Sequence, residues 1–238
     1  MPEPSAPPSP AIEPASESTP EPTVLIVDDH DLVGTSLAYS LSAEGLDARR
    51  AATVDVTGVL AEAATSPVGL ALLDLDLGRD RSGRRFDGVD LVGPLTQRGW
   101  RCIVLSSTVD RTRIGAALAA GALAAVPKHA PFPLLVNKMR AALAGLPVMS
   151  QESRQRLIDS HLVRDAERRQ IAEKLERLTR REREVLAELA RGHRAQAVAD
   201  QYVVSLATVR TQIRSVLGKL EVGSQLEAVA LYRRGQTG

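Results

Sequence analysis

The chain has 238 residues, of which 44% are hydrophobic, and this allows one large or two small domains with a core in each. Its formal net charge is +1, but residues 178–238 carry ten basic and six acidic residues, so nucleic acid is a candidate partner there. The single cysteine, Cys102, excludes a disulfide framework, and the lack of a long apolar run excludes a transmembrane helix. The N-terminus lacks the basic and apolar regions of a signal peptide, so we expect a cytoplasmic protein without membrane contact.

Residues 1–22 differ in composition from the rest of the chain. They contain eight of the fourteen prolines, four glutamates and few apolar side chains. Such a segment buries too little apolar surface to offset the entropy of ordering, so we predict a disordered tail rich in Pro, Glu and Ser.

Between residues 23 and 147, short apolar runs alternate with segments of helical periodicity. We predict strands at 24–27, 46–51, 68–73, 101–106 and 123–127, and helices near 33–44, 54–64, 87–97, 110–120 and 133–144. This alternation predicts an α/β domain with a doubly wound, five-stranded parallel sheet. Ligands of such sheets bind beyond the carboxyl ends of the strands.

Residues 148–177 are predicted to form a helical linker, because apolar side chains recur there at roughly helical spacing and residues 151–177 contain neither proline nor glycine. Two interpretations of its apolar stripe stay open. The stripe packs within the chain, or it forms a seam with a second copy.

Residues 178–238 are predicted to form an all-α domain of four helices. Thr179 with Glu182, and Ser224 with Glu227, have the spacing of capping boxes. Helices predicted at 195–202 and at 206–220 are joined by a short turn and the cap Ser205, which is the outline of a helix-turn-helix.

Chemically distinctive residues end or directly follow four of the predicted strands. Asp28 and Asp29 follow the first strand, Asp74 the third, Ser106 ends the fourth, and Lys128 follows the fifth. Converging carboxylates repel one another unless a cation neutralises them, so we predict a Mg²⁺ site. Carboxylates, a metal, a hydroxyl and a fixed ammonium are the groups that phosphoryl transfer requires.

A rival interpretation rests on Asp74 and Asp76 alone. The sequence DLD imitates the Asp-x-Asp motif of haloacid-dehalogenase-type phosphatases, which usually follows the first strand of the fold. Here it follows the third strand, and the other acidic pair precedes it, so the phosphatase remains the weaker alternative.

Residues 24–145 resemble the receiver domain of two-component response regulators, whose fold is flavodoxin-like. The motifs VLIVDDH, LLDLDL, VLSS and VPK stand at that family's signature positions. The resemblance implies that Asp74 accepts a phosphoryl group from a sensor histidine kinase. It also implies roles for the neighbouring residues: Asp28, Asp29, Asp74 and the backbone carbonyl of Asp76 as Mg²⁺ ligands, and Ser106 and Lys128 as contacts of the phosphoryl oxygens.

The sequence departs from the receiver pattern in two places. Between Asp76 and the pair Asp87–Gly88 lies an insertion of about six residues that contains several arginines: Arg79, Arg81, Arg84 and Arg85. It is either a tolerated surface loop or a contact for the phosphoryl group or kinase. Ala125 stands where the family commonly has an aromatic residue, so whether phosphorylation is required stays open.

Residues 178–231 resemble the LuxR-type helix-turn-helix of the NarL/FixJ response regulators, on the motifs LTRREREVL, Val198–Ala199 and TVR. The resemblance implies binding to promoter DNA as a homodimer. We predict Arg210, Thr211 and Arg214 in the major groove; the alternative is an ordinary solvated face. The remaining DNA-binding set is Ser205, Thr208, Gln212 and Lys219, the last three nearer phosphates; the predicted dimer contact on the last helix is Leu226, Val229, Ala230 and Tyr232.

Overall fold

The computed structural model describes residues 22–52, 55–79, 85–107 and 110–236. The chain divides into two compact units. The N-terminal unit comprises Met1–Val109 and Ala120–Ser150, and the C-terminal unit comprises Asp110–Ala119 and Gln151–Gly238. The predicted disordered tail lies, but for its last residue, outside the described residues.

A five-stranded parallel sheet forms the centre of the N-terminal unit, with strand order β2-β1-β3-β6-β7. This confirms the predicted fold class, and the strands begin and end within two residues of the predicted bounds. The strands within the described residues are β1 (Val24–Val27), β2 (Ala48–Arg50), β3 (Leu70–Asp74), β4 (Asp76–Arg79), β5 (Arg85–Asp87), β6 (Arg101–Ser106) and β7 (Ala124–Pro127).

Helices flank the sheet and make up the C-terminal unit. They are α1 (Asp31–Ala43), α2 (Val56–Ala64), α3 (Val89–Thr96), α4 (Arg111–Ala119), α5 (Phe132–Leu143), α6 (Gln151–Glu176), α7 (Arg180–Ala190), α8 (Ala195–Tyr202), α9 (Leu206–Leu220) and α10 (Gln225–Gln236). In the part of the chain that the structure describes, no helix has the length and apolar character needed to cross a membrane.

The central strands β1 and β3 are apolar up to their carboxyl ends because both faces of the sheet are covered. Every residue of β1 and β3 is buried, as expected for a parallel sheet between two helical layers. Ile26, Leu72 and Ile103 are fully buried in one cluster with Leu135 and Met139 of α5. This packing fixes the carboxyl ends of β1, β3 and β6 relative to one another.

The insertion after Asp76 begins and ends as an antiparallel hairpin, which the sequence did not predict. Strands β4 and β5 pair Asp76 with Asp87, and Leu77 and Phe86 are buried at its base. Gly78 has a φ of +68°, a left-handed conformation that favours glycine. Residues 80–84, which include two of the inserted arginines, lie outside the described residues.

The linker helix α6 packs within its own unit. Its first half crosses α4 so closely that a Cβ on Gly115 would lie 2.3 Å from the Leu157 carbonyl oxygen. In its second half, Ile171 and Leu175 pack against the apolar cluster of α7, α9 and α10. Of the two interpretations of the apolar stripe, the structure therefore favours packing within the chain.

The end of the chain forms the predicted helix-turn-helix, and α8 and α9 have the predicted bounds. The capping box of Thr179 and Glu182 is confirmed, because each side chain accepts a hydrogen bond from the other's backbone N–H. At the second predicted box, the backbone N–H of Glu227 donates to Ser224 Oγ. The Glu227 carboxylate accepts from the N–H of Gly223 and from the hydroxyl of Ser224, and not from the Ser224 N–H. That cap is therefore a variant of the predicted one.

Candidate functional site

The strand register brings the sequence-predicted acids together at one edge of the sheet. Val27 pairs with Leu73, so Asp28 and Asp74 extend from the ends of adjacent strands. Ser106 ends β6, the other neighbour of β3, and its backbone carbonyl accepts a hydrogen bond of 2.8 Å from the N–H of Lys128. Four residues that are far apart in sequence thus meet because the sheet is parallel.

Lys128 binds two buried carboxylates at once. Its Nζ lies 2.7 Å from Asp74 Oδ2 and 3.0 Å from Asp28 Oδ2, and both aspartates are only 1% exposed. Two negative charges therefore share one positive charge in a poorly solvated site. One negative charge is therefore left without a counter-charge, and a further cation would neutralise it.

Asp29 and His30 complete the acidic cluster. One ligand atom each from Asp28, Asp29, His30 and Asp74 can be chosen so that all four lie within 4.8 Å of one another. Asp29 Oδ1 is buried and accepts no hydrogen bond from the described residues, although His30 Nδ1 is 2.7 Å away. An under-satisfied set of carboxylate oxygens fits a hard divalent cation. His30 was not predicted, although it directly follows the acidic pair in the motif VLIVDDH.

Asp76 contributes to the site through its backbone. Its N–H donates a hydrogen bond of 3.0 Å to Asp74 Oδ1, whereas its own side chain is exposed and outside the acidic cluster. Asp74 Oδ1 is thereby held by a backbone donor and Oδ2 by Lys128. The orientation of the Asp74 carboxylate is fixed by both contacts.

Burial and charge act in opposite directions on these groups. Burial raises the pKa of Asp74, and the nearby Asp28 adds to this rise, while hydrogen bonds from Lys128 and Asp76 only partly offset it. Burial alone would lower the pKa of Lys128, but its contacts with Asp74 and Asp28 outweigh burial and raise it. The site therefore contains a carboxylate that is short of stabilising partners, beside a permanently charged ammonium.

The predicted DNA-reading residues lie on the exposed face of α9. Arg210, Thr211 and Arg214 are exposed. Ser205 and Thr208 are also exposed, where Ser205 Oγ caps the helix by accepting a hydrogen bond of 3.0 Å from the Thr208 N–H. The opposite face of α9 is apolar, so the helix is held by one side and presents the other.

Two members of the predicted DNA-binding set differ from this picture. Lys219 Nζ lies 2.6 Å from Glu182 Oε2, so its ammonium group binds a carboxylate of α7 in the same domain. Gln212 is half buried. Helical periodicity placed both residues on the polar side of α9, but it does not show where α7 packs.

The predicted dimer contact on α10 divides into two parts. Leu226 is 79% exposed and Ala230 is exposed, four residues further along the helix. Val229 and Tyr232 instead pack against the apolar clusters of the domain. A surface for a second copy is therefore available at Leu226 and Ala230.

Two family models match the chain. One, described as the response regulator receiver domain, matches residues 24–140, and the other, described as bacterial regulatory proteins of the luxR family, matches residues 176–232. Together they cover the acidic cluster and the helix-turn-helix.

Curated relatives match over nearly their whole length. The transcriptional regulatory protein LiaR of Bacillus subtilis is 27% identical over 89% of this chain and 96% of its own length. YhcZ, an uncharacterized transcriptional regulatory protein of the same organism, is 31% identical over 86% of this chain and 92% of its own. Among solved structures, the RcsB response regulator of Salmonella typhimurium is 22% identical, with a TM-score of 0.46 over 90% of this chain and 98% of its own.

Proposed function

This chain belongs to the NarL/FixJ group of response regulators, which join a receiver domain to a LuxR-type DNA-binding domain, and we propose that phosphorylation of Asp74 controls its binding to promoter DNA. The main support for this proposal is the buried Asp74 carboxylate, which lies 2.7 Å from Lys128 Nζ and beside two further aspartates. We propose domain limits of 23–147 for the receiver, 148–177 for the linker and 178–238 for the DNA-binding domain.

Asp74 is the proposed nucleophile toward the phosphohistidine of a sensor kinase in the cytoplasm. Its carboxylate oxygen forms a bond to phosphorus, the phosphorus–nitrogen bond breaks, and its electron pair returns to the imidazole, which takes up a proton. Lys128 and Ser106 then contact the phosphoryl oxygens, because both lie at strand ends next to Asp74. Charge-assisted contacts of this kind stabilise the negative charge that phosphoryl transfer brings into the site.

Asp28, Asp29, Asp74 and the backbone carbonyl of Asp76 are the proposed ligands of Mg²⁺. The under-satisfied Asp29 carboxylate supports this assignment, since it offers a buried oxygen without a hydrogen bond from the described residues. The bound ion would supply positive charge against the phosphoryl oxygens. In its absence, Lys128 is the counter-charge that holds Asp28 and Asp74 in place.

A regulatory role is favoured over phosphatase activity by the position of Asp76. In an Asp-x-Asp phosphatase the second carboxylate works as an acid beside the first. Here the Asp76 side chain is exposed and its backbone N–H faces Asp74. We therefore propose a phosphoacceptor and not a turnover enzyme.

The first experiment labels the full chain with acetyl phosphate or a kinase in Mg²⁺. Asp74→Asn is expected to abolish labelling, because the amide is not a nucleophile. Asp90→Asn is the matched control, since Asp90 is an exposed acid in the first turn of α3, and it should label like the wild type. Persistent labelling of Asp74→Asn would remove Asp74 from the proposed role.

DNA contact is proposed for Arg210, Thr211 and Arg214 in the major groove, with Thr208 nearer phosphates and Ser205 at the start of the same helix. A dimer through Leu226 and Ala230 would present two such helices to two half-sites. Arg210→Ala should weaken binding to the chain's own promoter and flatten its salt dependence, because a phosphate or base contact is lost. Arg180→Ala removes an arginine whose side chain is 94% exposed on α7 and should leave retardation unchanged.

A separate experiment measures whether dimerisation and DNA binding depend on phosphorylation. Beryllofluoride, which mimics the phosphoryl group on an aspartate, should shift the full chain toward the dimer and tighten DNA binding. The same addition to Asp74→Asn should change neither property. Equal DNA binding by both proteins under all conditions would instead identify a regulator that works without phosphorylation.

A further inference from the structure

A cleft between α6 and α10 gathers arginines that belong neither to the phosphorylation site nor to the DNA-reading face. Its volume is about 280 Å³, and it lies wholly within the C-terminal unit. It is lined by Asp165, Arg168, Arg169, Ala172, Arg234 and Gly235.

The charges in this cleft are unbalanced. Arg169 is paired with Asp165, its guanidinium lying 2.7 Å from the carboxylate. For Arg168 and Arg234, the part of the chain that the structure describes supplies no hydrogen-bond or ion-pair partner. Two unpaired guanidiniums that line one cleft repel each other, and an anion between them would turn that repulsion into attraction.

The fold itself brings these arginines together. The end of α10 lies so close to α6 that a Cβ on Gly235 would be 2.5 Å from Leu175 Cδ1 and 3.2 Å from Ile171 Cγ2. Ile171 and Leu175 in turn pack against the apolar cluster of the C-terminal unit. The packing of apolar side chains between α6 and α10 therefore places Arg234 near the arginines of α6.

We propose that this cleft binds a compact phosphate-type oxyanion, inorganic phosphate or diphosphate, and thereby strengthens the packing of the linker helix on the DNA-binding domain. Guanidinium groups match the oxygens of phosphate with paired N–H donors, which favours this class over a halide. The volume is at the lower limit of ligand pockets, about 300 Å³, so a small anion fits better than a whole nucleotide.

The phosphates of DNA are a poorer occupant because of the orientation of α9. Val216 and Leu220 lie on the face of α9 that joins the cluster with Ile171 and Leu175. At about 100° per residue, Arg214 lies roughly 200° around the helix from Val216. A duplex read by the exposed face would therefore leave the α6–α10 cleft free, and anion and DNA could bind together.

Titration calorimetry of the full chain with diphosphate tests the proposal. The buffer contains a chelator, and sodium chloride keeps the ionic strength constant. We expect saturable binding of one anion per chain, weakened about tenfold or more by Arg168→Gln or Arg234→Gln, because each removes charge-assisted hydrogen bonds. Arg156→Gln is the matched control, since Arg156 is on the same helix and its side chain is 64% exposed, and its affinity should equal that of the wild type.

Thermal unfolding gives a second measurement that does not depend on heats of binding. Diphosphate should raise the midpoint of the wild type and of Arg156→Gln, and should leave that of the double variant Arg168→Gln/Arg234→Gln unchanged. The absence of saturable binding, or equal affinity in the double variant, would overturn the proposal. Loss of binding in Arg210→Ala and not in Arg234→Gln would also overturn it, by assigning the anion to the DNA-reading face.

Discussion

Two buried carboxylates, Asp74 in the receiver and Glu182 in the DNA-binding domain, each lie against a lysine. Lys128 Nζ is 2.7 Å from Asp74 and Lys219 Nζ is 2.6 Å from Glu182. The surroundings of the two pairs differ. Lys128 is shared with Asp28, whereas Lys219 serves Glu182 alone among the described carboxylates.

The number of hydrogen-bond donors decides whether the pKa of each carboxylate is raised or lowered. Burial alone would raise the pKa of Glu182, but hydrogen bonds from Lys219, Ser215 and Thr179 outweigh it and lower that pKa to about 2. At Asp74 burial prevails and raises the pKa. The Glu182 carboxylate, with three donors, holds α7 to α9. The Asp74 carboxylate, with two donors, retains capacity for a cation and a phosphoryl group.

The largest expected effect comes from removing Lys128. Lys128→Met leaves Asp28 and Asp74 buried without a counter-charge, so the free energy of unfolding should fall by about 3–5 kcal/mol in a chelating buffer. Denaturation followed by the fluorescence of Trp100, a buried residue of the N-terminal unit, measures this loss. Addition of Mg²⁺ should restore part of it.

Lys219→Met is the matched substitution in the other domain. Its side chain is 34% exposed, and Glu182 keeps Ser215 and the Thr179 N–H as donors, so the loss should be about 1 kcal/mol or less. Far-UV circular dichroism, to which the helices of both units contribute, measures this loss. Equal losses for the two lysine variants would show that sharing of Lys128 by two acids has no energetic consequence.

An isosteric amide at each carboxylate should give effects of different size and sign. Glu182→Gln removes the charge that three donors stabilise, and should lower the free energy of unfolding by about 1.5–3 kcal/mol. Asp74→Asn relieves repulsion with Asp28, which keeps Lys128, so stability should be unchanged or higher. Chemical denaturation of both variants measures the difference, and destabilisation by Asp74→Asn to the same extent as Glu182→Gln would contradict it.

How far the sequence predicts these two sites depends on which contacts are local. Asp28 and Asp74 could be placed together because parallel strands end at one edge of a sheet. The bond between Thr179 and Glu182 could be predicted because a capping box has fixed spacing. Ser215 and Lys219 could not be assigned to Glu182, since that contact arises only when α9 packs on α7.

The same dependence on tertiary contacts explains why the sequence does not predict the hairpin after Asp76. Strands β4 and β5 have four and three residues, too few for alternation to distinguish a strand from a loop. Their pairing depends on the buried side chains Leu77 and Phe86 and on the left-handed Gly78. These are tertiary conditions that no short sequence window contains.

The pH dependence of stability should report Glu182 in the DNA-binding domain. Its pKa is lowered from 4.5 to about 2 on folding, so the carboxylate stabilises the fold above pH 4.5 and this contribution is lost as the pH falls toward 2. The difference in free energy of unfolding between wild type and Glu182→Gln should therefore be constant above pH 4.5 and should shrink below it. A difference that stays constant down to pH 2 would show that the Glu182 pKa is not lowered.

A small effect is expected of Ser215→Ala, which removes one of the three donors to Glu182. Its hydroxyl donates to Glu182 Oε1 at 2.7 Å, and Lys219 and the Thr179 N–H both bind the other oxygen, Oε2. The loss of one charge-assisted bond, partly offset by the higher helix propensity of alanine, should lower stability by about 1 kcal/mol. It should also raise the pKa of Glu182, which carboxyl-carbon NMR titration measures directly.

Ser40→Ala is the control for this last substitution, since Ser40 lies within a helix and its hydroxyl donates only to the carbonyl of Ser36, one turn earlier. That variant should not lose stability and should leave the titration of Glu182 unchanged. If Ser215→Ala lowers stability but does not move the pKa of Glu182, the hydroxyl stabilises packing and not charge. The lowered pKa of Glu182 would then depend on Lys219 and the helix cap alone. The contrast with Asp74 would arise because Lys219 pairs with one carboxylate and Lys128 with two, and not because the two carboxylates have different numbers of donors.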